Sequence, residues 1–364
     1  MELLPLLERL VAIDSVNPGL GGPGEAEIAS FVAGWARAAG LEVEQDEVAP
    51  GRPNVIATAR GSGGGRTLML NGHLDTVGPG SMADPLTARL EDGRLHGRGA
   101  YDMKGGLAAC LVAAAEAARR GLRGDVVVTA VVDEELGSIG TESILQRVHA
   151  DAAIVAEPTQ MRVGIAHKGF VAFEMETHGR AAHGSRPDLG VDAIARMGHV
   201  LVGLEALDRE LRDRPGHVLV GSGSLHAGVI SGGSEFSTYP ERCLLQAERR
   251  TIPGESAAQV EAEIRQVLDA RDVHATWRVV AARDPFEVPP EEEIVRLVGR
   301  HAGAPAPVGE AFWTDAALIA AQGIPTVLFG PGGEGAHAAV EWVHLDDVRR
   351  CANVLLAVAA ELCG

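Results

Sequence analysis

Val126-Val127-Val128-Thr129-Ala130-Val131-Val132 runs without a break into Asp133-Glu134-Glu135. A strand that is apolar at nearly every position is covered on both faces, the condition of an inner strand in a sheet flanked by helices. Residues 54–59, 67–70 and 152–156 repeat the form as short, near-continuous apolar runs, and the Ala-rich stretch 103–120 predicts a helix between two of them. The expectation is an α/β fold built on a mostly parallel or mixed sheet with helices packed against it.

Beyond Lys168 the pattern changes. Residues 170–177 alternate, 191–211 are helical, 224–230 and 243–249 are strand-like, 255–268 are helical and 274–281 return to a strand. This strand-helix-strand-strand-helix-strand order predicts an inserted α+β, ferredoxin-like domain. The Pro-rich stretch Asp284-Pro285-Phe286-Glu287-Val288-Pro289-Pro290 reads as the return linker. A helix from Glu291, a strand over 326–329, the turn Gly330-Pro331-Gly332-Gly333 and a closing helix over 346–362 then resume the first pattern. The expected division is 1–167 with 285–364, and 168–284.

Length agrees with two domains, since 364 residues exceed the roughly 100–200 that one core supports. Fifty acidic against 32 basic residues leave a net charge of −18, and no basic stripe interleaved with aromatics exists, so nucleic acid is not an expected partner. The four cysteines form no C-x-x-C, which argues against a disulfide framework or a thiolate site. The first residues space their apolar side chains like an amphipathic helix and carry Glu2 where a secretion signal would be basic. No apolar run reaches the 18 or more residues of a membrane span, so the expected location is cytoplasmic. Gly61-Ser62-Gly63-Gly64-Gly65 is followed by a strand and not a helix, which favours a hairpin turn over a nucleotide loop.

The chemistry lies where apolar runs end. His73-Leu74-Asp75, Asp102, Glu134-Glu135, Glu157 and His337 each place metal-type ligands at such points, and groups of this kind are costly to bury unless something cationic pairs them. Ligands of open parallel sheets bind beyond the carboxyl ends of the strands, so these residues are expected on one rim. Imidazole and carboxylate without thiolate suit zinc or a similar divalent ion, and the excess of carboxylate suits two ions sharing a bridge. Gly330 to Gly335 offer backbone N–H groups unobstructed by side chains, with Gly332 a candidate contact for a substrate carboxylate. Thr314 is expected either to touch substrate or to cap the helix that begins there.

Gly72-His73-Leu74-Asp75-Thr76-Val77, Gly97-Arg98-Gly99-Ala100-Tyr101-Asp102-Met103-Lys104-Gly105-Gly106, Asp133-Glu134-Glu135, Ala156-Glu157-Pro158-Thr159 and Gly335-Ala336-His337 together resemble the dinuclear-zinc aminoacylase/carboxypeptidase superfamily. That superfamily includes acetylornithine deacetylase, succinyl-diaminopimelate desuccinylase and glutamate carboxypeptidase. The resemblance implies that His73 and Glu157 hold one metal, Glu135 and His337 the other, and that Asp102 bridges them. It implies that Asp75 orients the His73 ring, that Glu134 is general base and later acid, and that the Asp102–Met103 peptide is cis. Gly179-Arg180-Ala181-Ala182-His183-Gly184-Ser185 is similar to a lid motif whose histidine polarises the scissile carbonyl in a partner subunit, making His183 the oxyanion donor. Glu248-Arg249-Arg250-Thr251 is similar to a second lid motif, with Arg250 as a carboxylate clamp. Ser237 stands where many relatives carry Asn, which puts that substrate contact in doubt.

The implied cofactors are two divalent ions, zinc, with cobalt or manganese as alternatives. The implied partners are a small N-acylated amino acid or short peptide and a second copy bound through the inserted lid and dimerisation domain. The leading expectation is an N-acyl amino acid deacylase. A carboxypeptidase or dipeptidase on the same metals and an idle dimeric metal-binding scaffold are the rivals.

Overall fold

In the computed structural model, residues 2–271, 273–304 and 306–364 are described. The chain forms two compact units, one from the residues up to Ile165 with Val288–Val308 and Thr314–Gly364, the other from Ala166–Glu287 with Gly309–Trp313.

The first unit begins with helices α1 (Leu3–Ala12) and α2 (Ala26–Ala38) and strands β1 (Glu42–Ala49), β2 (Arg52–Ala59) and β3 (Leu68–His73). The short strands β4 (Arg89–Glu91) and β5 (Arg94–His96) precede α3 (Gly105–Arg120), β6 (Val126–Val131), α4 (Ile139–Ile144), β7 (Ala152–Val155) and β8 (Gly164–His167). The main sheet runs β1-β2-β6-β3-β7, where β6 to β7 are mutually parallel and β1 and β2 antiparallel. The sheet is therefore mixed. The antiparallel pair escapes sequence reading because β2 is buried at six successive positions, the same signature as its parallel neighbours.

The second unit contains β9 (Gly169–His178), α5 (Ala193–Asp213), β10 (Ser224–Gly232), β11 (Arg242–Thr251), α6 (Ala257–Ala270), β12 (Ala275–Arg283) and β13 (Phe286–Glu287). Its antiparallel sheet, ordered β10-β11-β9-β12, has the helices on one face, where Phe173, Met175 and Leu245 meet Met197, Leu204, Val260 and Ile264. Burial alternates strictly along β9, so Glu174 and Glu176 point to the opposite face and pair with Arg278 and Arg242. That is the pattern of a sheet with one wet side.

The remaining elements are α7 (Glu293–Ala302), β14 (Val308–Glu310), α8 (Ala316–Ala321), β15 (Thr326–Leu328), β16 (Gly333–Glu334), β17 (Trp342–His344) and α9 (Leu345–Leu362). β15 enters the main sheet beside β7, parallel to it, and β8 lies on its other side, antiparallel. α3 packs on β2, β3 and β6, with α1 and α9 against it. Fully buried Leu7, Leu10, Leu107, Leu111 and Leu355 lie in these helices, and each such side chain contributes about 1.5–3 kcal/mol relative to an exposed one. Gly106 lets the first turn of α3 close on the end of β7, because a Cβ there would lie 2.0 Å from the Ala156 carbonyl oxygen.

The expected hairpin at Gly61–Gly65 does not form, since β6 lies between β2 and β3. The glycines instead allow a close backbone approach: Ser62 and Gly63 donate to the carbonyls of Leu122 and Arg123, and a Cβ on Gly61 would come within 2.4 Å of the latter.

Candidate metal centre

Four parallel strands deliver the site. β3 ends on His73, β6 is followed by Asp133, Glu134 and Glu135, β7 by Glu157, and β15 by the Gly-rich turn that leads to His337. Asp102 arrives from the turn before α3, and its peptide bond to Met103 is cis.

Asp102 faces both imidazoles, with Oδ1 3.2 Å from His73 Nε2 and Oδ2 3.4 Å from His337 Nε2. Glu135 Oε2 lies 3.1 Å from His337 Nε2; Glu157 Oε1 and Glu134 Oε2 lie 3.7 Å and 4.0 Å from His73 Nε2. In each of the sets His73, Asp102, Glu135 and His73, Glu134, Glu157, the potential ligand atoms fall within 4.8 Å of one another. His73 is only 1% exposed at its side chain, whereas His337, at 55%, marks the open side of the cluster.

Electrostatics report an unmet demand for positive charge. Burial, followed by the charge of Glu157, pushes the Glu134 carboxyl well above its ordinary range; burial raises Glu157 as well, against the pull of His73, and raises Glu135. Burial would lower His73, but its bond to Asp102 and the charges of Glu157 and Glu134 win, so it is raised. Bonds to Asp102 and Glu135 push His337 up to about 10. Asp102 is held below its usual range because its bonds to His337 and His73 outweigh burial. Among the described residues no Lys or Arg forms an ion pair with Asp102, Glu134, Glu135 or Glu157, and Glu135 Oε1 is buried without a hydrogen-bond partner. Buried carboxylates in this number require cations. Two imidazoles and four carboxylates, one of them (Asp102) aimed both ways, fit a pair of divalent ions.

Support around the cluster differs from expectation at Asp75. His73 Nδ1–H donates to the backbone carbonyl of Asp75 at 2.9 Å, which turns Nε2 toward the cluster, while the Asp75 carboxylate is 3.8 Å from the ring. That carboxylate instead accepts the backbone N–H groups of Glu134 (3.1 Å) and Glu135 (3.2 Å). It thus holds the turn carrying two of the acids. Asn17, fully buried, donates to Asp75 (2.7 Å) and to Asp133 (3.0 Å), and Arg52 ties Asp133 (2.8 Å) to buried Glu25. These supports were not found from the sequence, where a lone Asn before Pro18 signals only a turn.

The remaining candidates separate. Thr314 is buried one residue before Asp315, the N-cap of α8, and its Oγ1 accepts the N–H of Ala316 at 3.2 Å. Next to it, burial pushes the Asp315 carboxyl up to about 6 despite a 2.6 Å bond from Thr141. At Gly332, the candidate carboxylate contact, a Cβ would meet Asp347 Oδ2 at 2.6 Å and Gln160 Oε1 at 2.9 Å, and the neighbouring Gly330 N–H is taken by Thr159. In the second unit, backbone bonds from Gly184 to Ser237 (2.6 Å) and from Tyr239 to Ala182 (2.8 Å) bring the loops of His183 and Ser237 together. His183 is bonded to Ser185 at 2.8 Å. Arg250 pairs with Glu248 at 2.6 Å and lies over the Phe170 ring at 5.5 Å.

A sequence model described as peptidase family M20/M25/M40 matches residues 69–361. The acetylornithine deacetylase of Myxococcus xanthus is 33% identical over 379 residues, covering 98% of this chain and 97% of its own. An N-formyl-4-amino-5-aminomethyl-2-methylpyrimidine deformylase of Halalkalibacterium halodurans is 28% identical over 418 residues, covering 100% and 94%. Among solved structures, the M20 family metallo-carboxypeptidase Sso-CP2 of Sulfolobus solfataricus shares the fold with a TM-score of 0.82 at 17% identity, covering 100% of this chain and 99% of that one. The chain belongs to peptidase family M20/M25/M40, hydrolases that act on amide bonds.

Proposed function

We propose that this hydrolase removes the acyl group from an N-acylated amino acid, as the acetylornithine deacetylases it resembles are named for doing. The observation that carries the reading is the arrangement of Asp102 between two imidazoles with Glu134 beside it and otherwise uncompensated. In this reading His73 and Glu157 hold one ion, Glu135 and His337 the other, and Asp102 both; zinc is the ion, cobalt or manganese the substitutes. When bound, such ions supply Lewis acidity toward the scissile carbonyl and make a water easier to deprotonate.

Glu134 takes the proton from the attacking water as its oxygen bonds to the carbonyl carbon. The same carboxyl then gives that proton to nitrogen as the C–N bond breaks, so it ends ionised and the products are a carboxylic acid and an amine. Asp75 contributes by fixing the backbone from which Glu134 and Glu135 project. The resemblance supports residues 168–284 as a lid and dimerisation domain, with His183 stabilising the oxyanion in the partner subunit of a homodimer. It supports Arg250 and Ser237 as substrate contacts, which for Arg250 requires release from Glu248. A cytoplasmic location is part of the same proposal; among the described residues no helix is long and apolar enough to cross a membrane.

The test is a panel of N-acetyl, N-succinyl, N-formyl and N-aminoacyl amino acids with added zinc or cobalt. Turnover of an N-acyl amino acid above dipeptides is expected. Turnover of dipeptides alone would replace the deacylase reading with a peptidase one, and failure to take up any divalent ion would leave only the idle scaffold.

A further inference from the structure

We infer that Glu341 is a positioning residue that sets the two arms carrying Asp102 and His337, with Arg98 as the link between them. The inference rests on the proposed two-ion reading of the cluster.

Glu341 lies four residues beyond His337 with a side chain 1% exposed. Its Oε1 accepts the backbone N–H groups of Tyr101 (2.9 Å) and Asp102 (3.1 Å). Its Oε2 accepts the Gly99 N–H (3.0 Å) and Arg98 Nη1 (2.7 Å), and its own carbonyl accepts the Gly97 N–H (3.2 Å). One buried carboxylate therefore spans the segment 97–102 and ends on the peptide of the residue that faces both imidazoles. Arg98 reaches the other way, its Nη2 donating at 3.0 Å to the carbonyl of Ala338, next to His337. His337 needs such an anchor: its backbone sits at φ +61 and its side chain is half exposed. The path Asp102–Glu341–Arg98–Ala338–His337 joins two ligand arms through one ion pair.

Apart from Asp102, which both halves share, none of these bonds reaches the other half of the cluster. His73 is set by the Asp75 carbonyl, and Glu157 follows directly from β7. Loss of Glu341 should thus fall hardest on the ion held by Glu135 and His337, which depends on both arms, and less on the other, which shares only Asp102. A Gln in its place would turn an amide NH2 toward groups that donate and leave buried Arg98 without its counter-charge.

The experiment strips the protein with a chelator and titrates zinc against a chromophoric competitor. The parent is expected to take up two equivalents. In Glu341→Gln one equivalent should lose about 10–100-fold in affinity, the usual effect of removing a residue that supports a ligand, while the other, which shares only Asp102, loses less. Arg98→Lys keeps the charge and cannot bridge the two arms; if Glu341→Gln does not fold, it should show a smaller loss at the same equivalent. A purely structural role would lower the unfolding temperature and leave both affinities alone. Unchanged affinities in the folded variants, or equal loss at both equivalents, would overturn the inference with the two-ion reading intact. A parent that binds fewer than two ions would overturn both.

Discussion

Replacing Glu134 by Gln isolates proton transfer from everything else that residue does. Its backbone N–H is held by Asp75 at 3.1 Å and that of Glu135 at 3.2 Å, so the turn stays in place, and an amide of the same shape fills the same space, 11% exposed. Glu134 Oε2 stands 4.0 Å from His73 Nε2, outside hydrogen-bond range, so no strong bond to the imidazole is lost. Burial, then Glu157, raise the carboxyl well above 4.5 when no ion is bound, a shift that nearby cations would oppose. General acid–base assistance is worth about 10²–10⁴-fold, or about 2.7–5.5 kcal/mol at about 1.36 kcal/mol per tenfold. The expected result is a kcat lowered by that factor with KM shifted less than about threefold, since only a transition-state interaction is removed. Steady-state kinetics on the best substrate of the panel, with metal content measured on the same samples, provide the assay. A variant that retains its ions and a kcat within about tenfold of the parent refutes the assignment.

Asn17→Ala removes the amide that bridges Asp75 and Asp133 at 2.7 and 3.0 Å. Bonds to charged groups contribute about 1.5–3 kcal/mol each, and Arg52 with the two backbone donors remains, so a loss of about 3 kcal/mol is expected in urea unfolding; an unchanged midpoint would contradict it. Chelator-stripped protein should lose stability as pH rises from about 5 to 9. Glu134, Glu135 and Glu157 are raised above 4.5 and His337 to about 10, so across that window the folded chain binds more protons than the unfolded one and stability falls with rising pH. Added zinc should restore more at pH 8 than at pH 5. Scanning calorimetry of the stripped protein that showed its midpoint climbing from pH 5 to 9 would reverse the sign and refute the argument.

Where burial and chemistry leave a mark on residue type, the sequence was readable. β6 and β7 announce themselves because a strand covered on both faces must be apolar throughout, and the acids just beyond them stand out by contrast. β1, Glu-Val-Glu-Gln-Asp-Glu-Val-Ala, passed unnoticed because an edge strand can keep its charges in water. Strand direction was illegible in β2, since both pairings bury the same surface. The ligands could be located from their strand ends, but Asp75 shows the limit: whether a ring leans on a carboxylate or on a carbonyl is decided by ångströms that no motif records. Asn17, Glu341 and Arg52 are single polar residues whose meaning appears only once distant segments meet around them.

The place of β15 between β7 and β8 bears on how the molecule is made. The strand that fills this slot is specified by residues 326–328, after the whole of the second unit has been translated. Until it emerges, a nascent chain carries an open, apolar parallel edge along β7, and no order of local folding can seal it sooner. Synthesis, and not just the final equilibrium, is where this topology leaves the protein most exposed to mispairing with other chains.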